Sequence, residues 1–228
     1  MGLKGLARVS GSKISFPGTM ESYRLTYFNK RGGGEIIRLV FVVTSQTFED
    51  ERLTSEEWLK RKEEMPMKSL PVLHVKREDK ETTFCQSGAI AKYLAKKFGI
   101  HGENEDEGLL VDEVYDCVGD VRKSLVQIHF CKDETTKADL QKKLISEVLP
   151  NFCQYFQRRK ASFGEGGYIV GGKISLADLA VFNMVDSCLE MGLKSLWQPY
   201  PELLKHRELI MENEKLSDWL KIRPVTEV

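Results

Sequence analysis

From Tyr23 the chain alternates, with Tyr23, Leu25 and Tyr27 on one side and Arg24, Thr26 and Phe28 on the other, which predicts a short strand. The next apolar run, Ile36, Ile37, Leu39, Val40 and Phe41, is too dense for a one-sided surface helix and predicts a largely buried one over 35–45. "TFEDERL" predicts a second strand, and a strand, helix, strand unit is right-handed and parallel when both strands share a sheet. Thr54, with Glu57 three residues later, forms a capping box for a short helix over 54–64. "LPVLHV" predicts a strand led by Pro71, the charged "KREDKE" a turn, and "TTF" a returning strand, so the three make a hairpin. "QSGAIAKYLAKKF" then predicts an amphipathic helix with Ser87 as its cap.

After Gly99 the pattern changes. "GIHGENEDEG" predicts a linker, and beyond it only helical spacing remains, over 109–130, 134–162, 175–191, 201–212 and 216–222. "SLAD", from Ser175 to Asp178, is a capping box in its acidic form and fixes one helix start. The expected fold class is therefore α/β followed by all-α, with a mixed domain over 20–99 and an all-helical domain over 108–228. Residues 1–19 stand apart, because Lys4, Arg8 and Lys13 are balanced by no acid. They read as a disordered extension, with Met20 resembling a second start, although a basic, Ser-containing stretch also fits a weak organellar transit peptide.

Charge and cysteine content narrow the function classes. Lys plus Arg and Asp plus Glu each total 34, so no net field favours nucleic acid or an anionic membrane as partner. No apolar run approaches the roughly 20 residues that span a bilayer. Cys85, Cys117, Cys131, Cys153 and Cys188 are odd in number, dispersed and without a CxxC pair, which predicts free thiols in a reducing, cytoplasmic setting. The nearest pair of metal-ligand types, His129 and Cys131, would point to different sides of a helix, so no metal is expected.

Gly32, Gly33 and Gly34 raise the question of a phosphate loop. A Walker-type loop needs Lys and then Ser or Thr after its last glycine, and Glu35 and Ile36 stand there. The dinucleotide fingerprint comes closer, with Gly32 and Gly34 as its first two glycines and Asp50 near the acidic position, but Ile37 replaces the third glycine. A hairpin and a helical half follow, where a doubly wound sheet would repeat strand and helix. Nucleotide binding at this loop is excluded.

The order strand, helix, strand, hairpin, helix is thioredoxin-like. "YRLTYFNKRGGGEIIR", Trp58 followed by Lys62, "LPVL", "QSGAIAKYLAKKFG", "VYDCVGDV" and "SLADL" together resemble the sigma class of glutathione transferases, which includes the haematopoietic prostaglandin D synthases and the cephalopod lens crystallins. The likeness runs from about Glu21 to Pro224. It implies a homodimer that binds glutathione as co-substrate and activates its thiol. A thiol of pKa ~8.5 is mostly protonated at neutral pH, and lowering that value by about two units takes roughly 2.7 kcal/mol of preference for the anion. On its spacing alone Tyr27 is a core tyrosine; the resemblance makes it the catalytic group whose hydroxyl hydrogen-bonds the thiolate.

The resemblance also distributes the rest of the ligand. Ser87 and Gln86, at a helix start, would meet the γ-glutamyl carboxylate. Pro71, cis in this family, would turn the backbone of Leu70 toward the cysteinyl unit. Trp58 and Lys62 would hold the glycine carboxylate, although Lys62 in a charged helix is equally a solvated lysine. Asp120 would reach the ligand's ammonium from the second subunit. Phe28 and Phe130 fall where family members line the pocket for small hydrophobic electrophiles, and both are equally ordinary core aromatics.

Three positions depart from the pattern. Gly33 stands where relatives usually carry an arginine, Ser69 replaces a longer side chain at the glycine end, and Gly119 replaces a frequent acid beside Asp120. The expected function is attack of the glutathione thiolate on electrophiles, or isomerisation of an endoperoxide such as prostaglandin H2. A weakly active, crystallin-like structural or ligand-carrying protein is the rival reading, motivated by Gly33 and Ser69. Thiol exchange ranks last, because no cysteine stands near Tyr27.

Overall fold

The computed structural model describes residues 21–226. The expected extension over 1–19 lies outside them. Strand β1 (Glu21–Phe28) is followed by α1 (Gly32–Val43), β2 (Glu49–Leu53), α2 (Ser55–Arg61), β3 (Val72–Arg77), β4 (Lys80–Cys85) and α3 (Ser87–Lys97). The sheet order is β2-β1-β3-β4, with β1 parallel to β2 and antiparallel to β3. Tyr23 faces Val75 and Leu25 faces Leu73 across β1 and β3, so the alternation of the first strand meets a matching one.

Helix α1 is buried nearly all round, with Ile37, Leu39, Val40 and Phe41 fully enclosed. The reason lies in its neighbours. It packs against β1 and α3 on one side and against α7 (Leu176–Glu190) and α9 (Glu214–Ile222) of the helical half on the other. Between α3 and α9 run α4 (Glu105–Phe130), α5 (Glu134–Lys143), α6 (Leu149–Phe163), α7 and α8 (Pro201–Met211). No strand follows β4 among the described residues. The mixed sheet with its helices, then the all-helical half, is the expected fold class.

Helix α7 is the centre of that half. Its Ser175 and Asp178 make the capping box read from "SLAD", and Asp178 also accepts the Ile169 N–H at 2.9 Å. Burial pushes the Asp178 carboxyl up to about 6, and it pushes His206, 3.4 Å away, down to about 4. The carboxyl thus ties the segment at Ile169 to the start of α7 inside the core.

Four boundaries differ from expectation. Glu105, Asp106 and Glu107, expected in a linker, form the first turn of α4, where acids complement the helix dipole and Asn104 accepts the Glu107 N–H as cap. The segment before it is anchored, with His101 buried 2.8 Å from Asp112. The hairpin turn shrinks to Glu78 and Asp79, because Lys76 pairs with Glu81 and Arg77 with Lys80 in an exposed ladder that tolerates charge. The expected helix over 134–162 is interrupted by a wide turn, Leu144–Val148, in which the Leu149 N–H reaches back to Leu144. Pro150 accounts for it, since its ring excludes the regular helix four residues upstream. Finally, Gln86 is the cap position of α3 and Ser87 its first residue, so the Ser87 hydroxyl is not consumed in capping.

Candidate functional site

Tyr27 lies near the end of β1 and the three glycines fold back over its ring. Its hydroxyl oxygen accepts the Gly33 N–H at 2.9 Å. The hydroxyl hydrogen itself has no acceptor among the described residues, so it is available to a ligand. Gly32 has φ +39°, and a Cβ there would stand 2.5 Å from the Tyr27 oxygen; one at Gly34 would stand 2.7 Å from the ring. The outer glycines are therefore required by close approach, which answers why this turn is glycine-rich without any phosphate.

Gly33 is different. A Cβ placed on it would sit 3.6 Å from the Tyr27 oxygen, 3.6 Å from Pro71 and 3.8 Å from Ser87, all ordinary contacts. The same measurement shows that the fold brings Tyr27, Pro71 and Ser87 to one point. The Leu70–Pro71 peptide is cis, and Gln86 holds φ +73°, a left-handed conformation costing about 1–3 kcal/mol that non-glycine residues keep mainly at working sites. Ser87 opens α3, where free N–H groups and the helix dipole favour an anion.

The remaining expected residues spread outward. Tyr27, Phe28 and Trp58 form a chain of edge contacts with ring centroids 5.7 Å apart at each step. Phe28 thus packs Trp58 in place. Lys62 and Ser69 are exposed, and neither lines the cavity under α4. Asp120 is exposed and paired with Lys123 at 2.9 Å. A cavity of about 330 Å³ opens between Gly33, Ser87 and Gly88 on one side and Tyr115, Val118, Gly119, Arg122 and Val126 of α4 on the other. Neither Phe28 nor Phe130 lines it, and Phe130, 73% exposed, stands one turn beyond Val126.

Two sets of residues escaped the sequence reading. The first is Tyr115, Arg122 and Val126, which with Gly119 form an α4 face whose spacing of four, three and four is a helical stripe and was legible in principle. Burial raises the Tyr115 phenol above its usual range, so it stays a neutral hydroxyl in the cavity wall. The second is an ion network beneath the glycine turn. Glu35, 1% exposed, accepts from Trp219 at 3.2 Å and Arg223 at 3.0 Å, both of the C-terminal segment, and from Arg38 at 3.2 Å. Arg223 also reaches Asp186 at 3.0 Å, and Arg38 reaches Asp50 at 2.9 Å.

All five cysteines are unpaired. Burial pushes the Cys153 and Cys188 thiols up to about 12, which leaves them inert at neutral pH. The arrangement as a whole is a hydroxyl donor, a cis-proline corner and a helix start gathered around Gly33, which with Ser87 lines the cavity, on a thioredoxin-like sheet.

Comparison with known proteins gives the family. Residues 23–96 match the glutathione S-transferase N-terminal domain and residues 119–223 the glutathione S-transferase C-terminal domain. Glutathione S-transferase 3 of Caenorhabditis elegans is 34% identical over 91% of this chain and 99% of its own. S-crystallin SL11 of Nototodarus sloanii is 31% identical over 90% of this chain and 98% of its own. A Nu-class enzyme from Haemonchus contortus superposes with a TM-score of 0.82 at 36% identity, covering 92% of this chain and all of that one. Prostaglandin synthase D of Nilaparvata lugens gives 0.78 at 32% identity, covering 90% and 100%, and a monomeric transferase of the hookworm Necator americanus gives 0.78 at 32%, covering 91% and 100%. The chain belongs to the glutathione S-transferase family, whose co-substrate is glutathione.

Proposed function

We propose that this chain is a glutathione transferase of sigma-like type in which Tyr27 holds the glutathione thiolate for attack on small hydrophobic electrophiles. One observation carries the reading: the Tyr27 oxygen already accepts from Gly33, and its hydrogen, unclaimed by protein, lies where Pro71 and Ser87 converge. Ser87 and Gln86 take the γ-glutamyl carboxylate, the Leu70 backbone takes the cysteinyl unit, and Trp58, Lys62 and Ser69 take the glycine end. The cavity under α4 receives the electrophile, with Phe28 and Phe130 at its margins. Two copies of the chain complete the site, Asp120 of each serving the ammonium of the other's ligand; its exposure on α4 supports this role. The site is cytoplasmic in this reading.

The likeness to an insect prostaglandin synthase D supports a second use of the same thiolate, opening of an endoperoxide to its isomer. S-crystallin SL11 supports the rival, a weakly active structural relative. Turnover of a generic aromatic electrophile, measured beside glutathione affinity, decides between them. Rates above the uncatalysed reaction, with a dimer by light scattering at micromolar concentration, are expected. No turnover replaces the enzyme by the carrier, and a monomer removes Asp120 from the ligand.

The glycine turn offers a further check. Gly33→Arg, for which there is room, is expected to keep or raise the rate, whereas Gly32→Ala displaces the Tyr27 hydroxyl and lowers it. Equal rates for the two variants would show that the close approach of Gly32 to Tyr27 has no bearing on activity.

A further inference from the structure

A cation from the other half of the molecule stands at the glycine turn. Arg122, on α4 and half-buried in the cavity wall, donates from Nη2 to the Gly32 carbonyl oxygen at 3.2 Å. The same peptide unit, at its opposite end, donates the Gly33 N–H to the Tyr27 hydroxyl oxygen at 2.9 Å. The two hydrogen bonds therefore share one amide. A donor at the carbonyl draws electron density from the nitrogen and makes the N–H a stronger donor, so bonds in such a chain reinforce one another. Tyr27, receiving the strengthened bond, becomes a better donor to whatever anion it faces.

The guanidinium suits this task. It is charged at every working pH. No carboxylate lies within 4.0 Å of it among the described residues, so its charge is not cancelled by an ion pair; the nearest acid in sequence, Asp120, is paired with Lys123 instead. Gly33 contributes no charge to the turn, and Arg122 occupies the cavity beside it.

We infer that Arg122 is a positioning residue that supplies, from the helical domain and through the Gly32–Gly33 peptide, the positive charge that supports thiolate formation at Tyr27. The inference rests on the thiolate reading above. It also explains how a site with glycine in place of the expected arginine retains a cation, since the charge enters from α4 instead of α1.

The test is a pH titration of glutathione bound to the full-length protein, followed by thiolate absorption, together with pH profiles of kcat and KM. In Arg122→Met the bound thiol pKa is expected to rise by about one unit, with an about fivefold lower kcat/KM near pH 6.5, most of it in kcat, and near wild-type values above about pH 9. Arg122→Gln, which keeps a donor for Gly32 without the charge, is expected to follow Met. Adding Gly33→Arg to Arg122→Met is expected to restore the low pKa. Melting temperature and glutathione Kd identify a variant that has merely lost its fold, and the two replacements give two independent readings. An unchanged pKa in a folded Arg122→Met or Arg122→Gln protein overturns the inference, as does full recovery by Gln. Tyr27→Phe, titrated alongside, separates the levels: if it too leaves the pKa unchanged, the thiolate reading fails; if it alone raises the pKa, only the role of Arg122 fails.

Discussion

Tyr27→Phe is expected to lower kcat/KM for an aromatic electrophile by about 50-fold near pH 6.5 and to leave it almost unchanged above about pH 9. The size follows from the thiol. If the bound pKa moves from about 6.5 back to ~8.5, a shift of roughly 2.7 kcal/mol, the thiolate fraction at pH 6.5 falls from one half to about one hundredth. At high pH glutathione ionises without help and the difference closes. The fold should tolerate the change, because the phenyl ring stays packed on Gly34 and Phe28 and only the Gly33 N–H loses its acceptor, a cost of about 1 kcal/mol. A variant that keeps the full rate at pH 6.5 removes Tyr27 from the mechanism.

The second large effect concerns stability. Arg223→Ala is expected to destabilise the protein by about 3 kcal/mol, the lower end of the range for breaking a buried pair, with a melting temperature lower by about 6–12 °C. Arg223 is 10% exposed in its side chain and bridges Glu35, Asp186 and Glu190. Glu35 would retain Arg38 and Trp219, and Asp186 would retain Arg207 at 2.5 Å, which keeps the loss from being larger. Lys should rescue little, since one ammonium cannot span three carboxylates held by a planar fork. Urea unfolding measures the loss, and a change in midpoint worth less than about 1 kcal/mol would show that the C-terminal segment does not brace the first turn of α1.

The sequence was most legible where a physical rule acts over a few residues. The alternation of Tyr23, Leu25 and Tyr27, the capping boxes at Thr54 and Ser175, and the density of apolar residues in α1 each announced their element. Errors came where local composition has two meanings. Acids after Gly102 read as a linker and proved to be a helix start, and Pro150 was passed over inside a periodic run. The candidate site divided in the same way. Tyr27, Pro71 and Ser87 sit at element ends and could be placed by motif, and they converge. Arg122 could not, because its partner is a backbone carbonyl ninety positions away, and a carbonyl leaves no trace in side-chain pattern. Glu35 was noticed only as the residue that spoiled a phosphate loop, although it is the acid that anchors the turn to the C-terminal segment.

The three adjacent glycines, indistinguishable as letters, carry unequal constraints. A glycine codon becomes an arginine codon by one base change, and at Gly32 or Gly34 that change collides with Tyr27 while at Gly33 its Cβ meets only ordinary contacts. A mutational scan of this turn should return two intolerant columns flanking one permissive one. Lineages can therefore gain or lose a charge at the middle position in a single step, without first repairing the backbone around it.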